Sequence, residues 1–181
     1  LLGGVLFVVM FALHGANWLA LKSEGDLQVR AARMAKALWP VLAVVAVAFL
    51  VATWFATPLW RNLLGRPALL ALPLLAVAGL VLTRVFAAGG AHWKAWFASS
   101  AFILGAALFG VAGMFPNLLA SSIDPAASMT AFNSASSPLT LKIMLGVVLV
   151  FLPVVIAYQT WVYVKFRDVV TAKMLEEGPA Y

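Results

Sequence analysis

His14 and Asn17 are the residues of this chain whose types and spacing could do chemistry away from water. They stand three apart inside the apolar run Leu1–Leu21, so a helix presents both on one face. An imidazole and a carboxamide so placed can bond a neighbouring helix or line a path for protons or a quinone. The imidazole can also ligate a haem or metal. His92, the only other histidine, falls beside Trp93 in a connection. Two histidines at different depths make a poor haem site within one chain. None of the six acids falls inside an apolar run, so the carboxylate relay that pumps often use is not built here. There is no cysteine, hence no disulfide framework, thiolate zinc site or iron–sulfur site. A Ser-His-Asp set, a phosphate loop and a metal-spaced cluster are all missing from the pattern. On its own chemistry this stretch would not be read as an enzyme.

The second polar concentration is FPNLLASSIDPAASMTAFNSASSPLTLKIM, Phe115–Met144, the longest break in the apolar pattern. Asp124-Pro125 has the form of a helix start, acid at the cap and proline at the first helical position, and predicts a short helix to about Asn133. Ser137-Pro138 repeats the device for the run that follows. Lys142 stands near that helix's N-terminus, where a cation opposes the macrodipole. It should therefore have a partner: Asp124, a lipid phosphate or a neighbouring subunit.

The elements that must position these residues are membrane spans. The chain is 65% hydrophobic and 10% charged over 181 residues, with mean hydropathy +1.04. A water-soluble domain of this size could not cover so much apolar surface. The five runs long enough to cross a bilayer, at roughly 20 residues each, are 1–21, 37–57, 68–88, 95–116 and 139–164. In lipid each must be helical to satisfy its own backbone. The expected fold is an all-α membrane protein, with residues 1–181 as one transmembrane unit: five transmembrane helices forming a bundle plus an additional helix. In the connection SEGDLQVRAARMAK, Ser23 is the candidate cap of a helix. In the fourth run, the pairs Ala101/Gly105 and Ala106/Gly110 are spaced for close helix approach. Pro153 should kink the fifth, and Gln159 adds a buried polar group there. Pro40 and Pro73 sit near the starts of their spans.

The net charge of +6 does not point to nucleic acid, because the basic residues stand at span ends and form no patch. Taken on alternate faces, the connections and tail carry nine basic residues on one side and three on the other. The positive-inside rule places the side with nine in the cytoplasm. The Phe115–Pro138 loop then lies outside and the C-terminus inside. Trp39, Trp54, Trp60, Trp93, Trp96, Trp161 and Tyr163 fall near span ends, where amphipathic rings settle. The chain begins inside an apolar run with no charged region before it, which reads as part of a longer polypeptide and not as a signal peptide.

Two passages carry a family resemblance: FALHGANWLALKSEGDLQVRA, Phe11–Ala31, and the Phe115–Met144 loop followed by PVVIAYQTWVYVKF. The HGA(N) and x-Gly-acid-Leu wording of the first resembles subunit II of the cytochrome bd-type quinol oxidases. So do the FP, SS, D-P, N-x-x-S-S-P-x-T-L and Y-x-x-W-x-Y steps of the second. The likeness covers almost the whole chain and is to the C-terminal half of that subunit, without its N-terminal helical half. Spans two and three match mainly in hydropathy.

The resemblance implies a haem-free subunit of a quinol:oxygen oxidoreductase, in the cytoplasmic membrane of a bacterium or archaeon. Its partner would be a larger subunit I holding haem b and haem d, with quinol oxidised at the outer face and protons drawn from the cytoplasm. Membrane lipids, a structural quinone and a small third subunit are further partners it allows. The acidic proton-path residues ascribed to some members belong to the half not present here, so no residue of this chain is assigned to catalysis. His14 and Asn17 are expected in interhelical bonding or a polar path. Asp124, Asn133, Ser136, Ser137 and Lys142 are expected to order the outer loop against subunit I. Composition and topology alone would also fit half of a small-solute transporter or a membrane scaffold.

Overall fold

The structure, a computed structural model, describes residues 1–121 and 123–171. Lys173, counted above among the inner charges, lies outside them. The described chain forms two compact units, Leu1–Phe115 with residues 169–171, and Pro116–Asp168.

The first unit is helical. Its elements are α1 (Leu2–Lys22), α2 (Gly25–Ala56), α3 (Leu59–Leu64), a 3-10 turn at Pro67–Leu70, α4 (Ala71–Ala88) and α5 (His92–Met114). The second unit holds a short antiparallel ladder, β1 (Asn117–Leu119) with β2 (Met129–Thr130), and a single helix, α6 (Pro138–Lys165). Helices α1, α2, α5 and α6, and α4 taken with the turn from Pro67, are long and apolar enough to cross a membrane. These are the five spans read from hydropathy. The chain is an all-α membrane protein in which a four-helix assembly and a fifth spanning helix belong to different units.

The largest difference in the first unit is the length of α2. The connection after α1 does not form a separate helix capped by Ser23. It is the first part of a continuous 32-residue α2. Ser23 instead turns its hydroxyl back to the Leu19 carbonyl, and Glu24 is the residue before the helix. The reversal is completed at Gly25, whose φ of 65° is easy only for glycine. Nothing between Asp26 and Trp39 disfavours helix, so the span and its polar lead-in fuse. Pro40 consequently lies inside α2, not near its start.

Around the central seam, α1 packs on α2 and α5, and α4 packs on α5 and α2. Met10, Leu13 and Leu42 are fully buried there, with Leu6, Ala76 and Phe102 beside them. A second apolar cluster, Leu59, Leu63 and Phe109, seats α3 on α5. Trp39 Nε1 donates to the Leu80 carbonyl at 2.8 Å, tying α2 to α4. The closest contact is between α4 and α5. A Cβ on Gly79 would lie 2.5 Å from Phe102 N, and one on Gly105 would lie 2.6 Å from Ala76 N. Each glycine thus admits the other helix's backbone, which is how small residues bind helices in lipid. The Gly105 position behaves as its spacing suggested, but Gly110 does not. A Cβ there meets nothing within 4 Å, because Gly110 lies about 140° around the helix from Gly105.

In the second unit, Asn117 stands opposite Thr130 and Leu119 opposite Met129. The helix expected from Asp124 to about Asn133 is a single 3-10 turn, Pro125–Ala127. The chain after it is drawn into the ladder, and Ala131 N donates to the Pro116 carbonyl at 2.9 Å. Ser137 caps α6, accepting from Thr140 N at 3.3 Å with Pro138 in the first turn. No described residue of α6 is buried. Gln159, expected to be buried, is exposed, since nothing in this unit packs on α6.

Candidate functional site

The polar core of the first unit is where α1 crosses α5. His14 Nδ1 lies 2.8 Å from Ser99 Oγ, which also stands 2.7 Å from the Trp96 carbonyl. That carbonyl accepts from the Ser100 hydroxyl as well, at 3.0 Å. A hydroxyl has a single proton to give, and Ser99 has two acceptors in reach, so the direction of the His14–Ser99 bond follows the imidazole tautomer. The ring is further fixed by stacking on Trp96, centroids 5.4 Å apart at 29°. Trp18 meets the same indole at 5.1 Å, and Lys22 Nζ stands 5.5 Å from the Trp18 ring. Helix spacing explains the set. His14, Trp18 and Lys22 recur every four residues along α1, and Trp96 and Ser99 stand three apart on α5.

Asn17 lies about 60° around α1 from His14. Only 3% of it is exposed, and its Nδ2 has no hydrogen-bond partner. Buried alanines occur on all three helices: Ala16 and Ala20 on α1, Ala31 and Ala35 on α2, Ala95 and Ala98 on α5.

These residues do not fit a haem. The Trp96 indole stacks on the His14 ring, and the only other histidine, His92, stands at the start of α5. The apolar cavity among α1, α2, α4 and α5, lined by Leu6, Phe49, Pro73 and Phe102 among others, measures about 40 Å³. Cofactor pockets run to about 300–1,000 Å³. Among the described residues no three His, Cys, Asp or Glu side chains converge on a metal position.

The loop residues form a separate network in the second unit. Asn133 Oδ1 accepts from Thr130 N at 2.7 Å and from the Ser134 hydroxyl at 2.8 Å, while its Nδ2 donates to the Ser128 carbonyl at 3.0 Å. Ser128 Oγ accepts from Ser121 N at 3.0 Å. Asp124 Oδ1 accepts from Ala126 N at 2.9 Å, closing the single 3-10 turn. The structure brings Asp124 and Asn133 into this loop and sets Ser137 at the α6 cap. Ser136 and Lys142 are exposed. Lys142 forms no ion pair among the described residues; the pair present there is Arg30–Asp26 at 3.7 Å.

Four functional candidates were not singled out from sequence. Ser99 reads as one small residue among many, although it is the histidine's partner across the helices. Trp96 was placed only at a span end, and Trp18 not at all. Asn62 holds the end of α5, donating to Gly113 O at 2.7 Å and Phe115 O at 3.0 Å. The one available signal was Trp18 and Lys22 following His14 at fourfold spacing.

A family model described as cytochrome bd terminal oxidase subunit II matches residues 1–166. Cytochrome bd ubiquinol oxidase subunit 2 of Bacillus subtilis is 30% identical over 176 residues, covering 96% of this chain and 51% of that protein. Cytochrome bd-I ubiquinol oxidase subunit 2 of Escherichia coli K12 is 28% identical over 208 residues, covering 98% of this chain and 54% of that one. The chain thus spans about half the length of the curated relatives it matches. By the match over residues 1–166, it belongs to the cytochrome bd terminal oxidase subunit II family.

Proposed function

We propose that this chain is part of the haem-free subunit of a bd-type oxidase, which oxidises quinol and reduces dioxygen to water. The family match over residues 1–166 carries the reading. The work of this chain is structural. Its four-helix unit and α6 support a larger haem-bearing subunit I, where haem b and haem d and the oxygen chemistry reside.

Residues 1–181 act as one transmembrane portion of a longer subunit. The side carrying Lys22, Arg30, Arg33, Lys36, Arg84, Lys94, Lys165 and Arg167 faces the cytoplasm, and the Phe115–Pro138 loop faces outward. Asp124, Asn133, Ser136, Ser137 and Lys142 then present an ordered outer surface to subunit I or to lipid headgroups. Since no described residue of α6 is buried, that helix is available to a protein partner or to acyl chains. A structural quinone and a small third subunit are compatible with the same arrangement.

The test is purification from native membranes through a tag on the full-length subunit, with reduced-minus-oxidised spectra and identification of co-purifying chains. Haem b and haem d bands with a larger partner, and none in the separated subunit, support the reading. A colourless, partner-free preparation would overturn it in favour of a transporter half or scaffold.

A further inference from the structure

The Arg66 side chain has no partner among the described residues of its unit. It stands between α3 and the 3-10 turn that leads into α4, and its backbone is held on both sides. Arg66 N donates to the Leu63 carbonyl at 3.0 Å, and Leu69 N donates to the Arg66 carbonyl at 2.8 Å. The side chain itself is exposed and makes no ion pair among the described residues. Arg61, on α3, is in the same condition. The acids among this unit's described residues are Glu24 and Asp26, at the start of α2. The 32 residues of that helix put about 48 Å between them and its far end, beyond which the two arginines lie. Asp26 is moreover paired with Arg30. Two cations therefore share one end of the unit with no carboxylate of that unit, among the described residues, to balance them.

Beside Arg66 runs an apolar groove of about 360 Å³ between α4 and α5. Leu69 and Leu72 form one wall. Leu108, Val111 and Phe115 form the other, at the three- and four-residue spacing that shares one helix face. From Leu108 to Phe115 the wall runs about 10 Å. Helix α5 ends at Met114 and α4 is entered from Arg66, so Phe115 and the arginine mark the same end of the groove. Apart from Arg66 the lining side chains are all hydrocarbon. Val111 is 71% exposed, so this unit does not cover its own groove.

The occupant must be apolar along its length and anionic at one end. A phospholipid has that form, and the walls belong to two membrane-spanning helices. Guanidinium donors match phosphate oxygens in geometry as well as charge. A quinone fits less well, because its ring carries neutral carbonyls and the groove offers no second polar side chain to receive one. The unbalanced charge of Arg61 and Arg66 favours a headgroup of net negative charge over a zwitterionic one. We propose that Arg66 and the α4–α5 groove form a binding site for an anionic phospholipid, its phosphate on the guanidinium and an acyl chain between Leu72 and Leu108. The inference is independent of the oxidase reading, because neither haem content nor turnover enters it.

The test is native mass spectrometry of the full-length subunit in its native assembly, delipidated in mild detergent and titrated with dioleoyl phosphatidylglycerol. The expected result is one bound lipid whose affinity falls about tenfold in Arg66→Gln, the weight of a charge-assisted hydrogen bond. Arg84→Gln, which removes an exposed arginine from the other end of α4, should leave it unchanged. Val111→Trp, which fills the groove without altering charge, should also weaken it. Equal binding by wild type and Arg66→Gln, an equal loss in Arg84→Gln, or displacement of the lipid by inorganic phosphate would overturn the proposal. If the variants do not assemble, a map of the wild-type assembly in phosphatidylglycerol nanodiscs decides. A headgroup at Arg66 with a chain between Leu72 and Leu108 supports the site; a partner's polypeptide, a quinone or no density in that groove overturns it.

Discussion

Gly79→Ala tests whether α4 and α5 are held at backbone contact. The added Cβ would lie 2.5 Å from Phe102 N, 2.8 Å from Ala98 O and 3.0 Å from Phe102 Cα, where ordinary contact begins at 3.4 Å. All three are backbone atoms and cannot rotate aside, so the helices must part locally by roughly 0.9 Å, enough to forfeit a quarter to a half of the dispersion well of each atom pair across the gap. Overpacking of this kind costs about 1–3 kcal/mol, and the rigidity of the obstacle argues for the upper half of that range. Against it stands alanine's better helix propensity, about 1 kcal/mol. The net loss is about 1–2 kcal/mol.

Gly110→Ala is the matched control. It has the same propensity gain and nothing within 4 Å of the new methyl, so it should be neutral or slightly stabilising. Thermal unfolding of the assembled complex in one detergent reads the comparison. Gly79→Ala should melt below wild type, by less than about 2–4 °C per kcal/mol because the complex is larger than a single domain of this size, with Gly110→Ala at or above wild type. Gly105→Ala, whose Cβ would meet Ala76 N at 2.6 Å, should fall with Gly79→Ala. Equal midpoints for Gly79→Ala and Gly110→Ala would refute the close-contact account.

Ser99→Ala leaves His14 Nδ1 without its 2.8 Å partner and should destabilise by about 1–2 kcal/mol, with Ser99→Thr restoring most of the midpoint; no loss in the alanine variant would contradict the bond. Asn62→Leu frees the Gly113 and Phe115 carbonyls, and hydrogen exchange at Phe115 N, bonded to Val111 O, should quicken while exchange in α1 stays unchanged. Asn133→Leu removes three bonds from the loop. It should lower the yield of assembled complex more than turnover per haem, and full assembly with low turnover would contradict that role.

How much was legible depended on the range of the interaction. The five spans could be read because lipid imposes one rule on every residue in them, and twenty apolar positions state it redundantly. The α2 boundary was misplaced because charge density was read as an interruption. Helical backbone runs through Asp26–Lys36 as readily as through the span, and only the Ser23–Gly25 reversal stops it. The loop helix failed for a local reason. Asp124 and Pro125 do start a turn, but Ser128, Thr130 and Asn133 offer the backbone side-chain partners that compete with the next helical bonds.

Least legible was the polar core. His14 and Asn17 carry the same signal in sequence, two polar residues one turn apart in an apolar run, yet one is paired and the other is not. Asn17 lies about 60° around the helix from His14, and that rotation decides which faces α5. The partner, Ser99, is 85 residues away in a stretch whose other small residues serve only packing. Its hydroxyl acquires meaning only once the Gly79 and Gly105 contacts have set how α5 lies in the unit. The serine that bonds the histidine is therefore positioned by glycines that touch neither residue, and a perturbation at Gly79 should loosen His14 before it touches any polar atom.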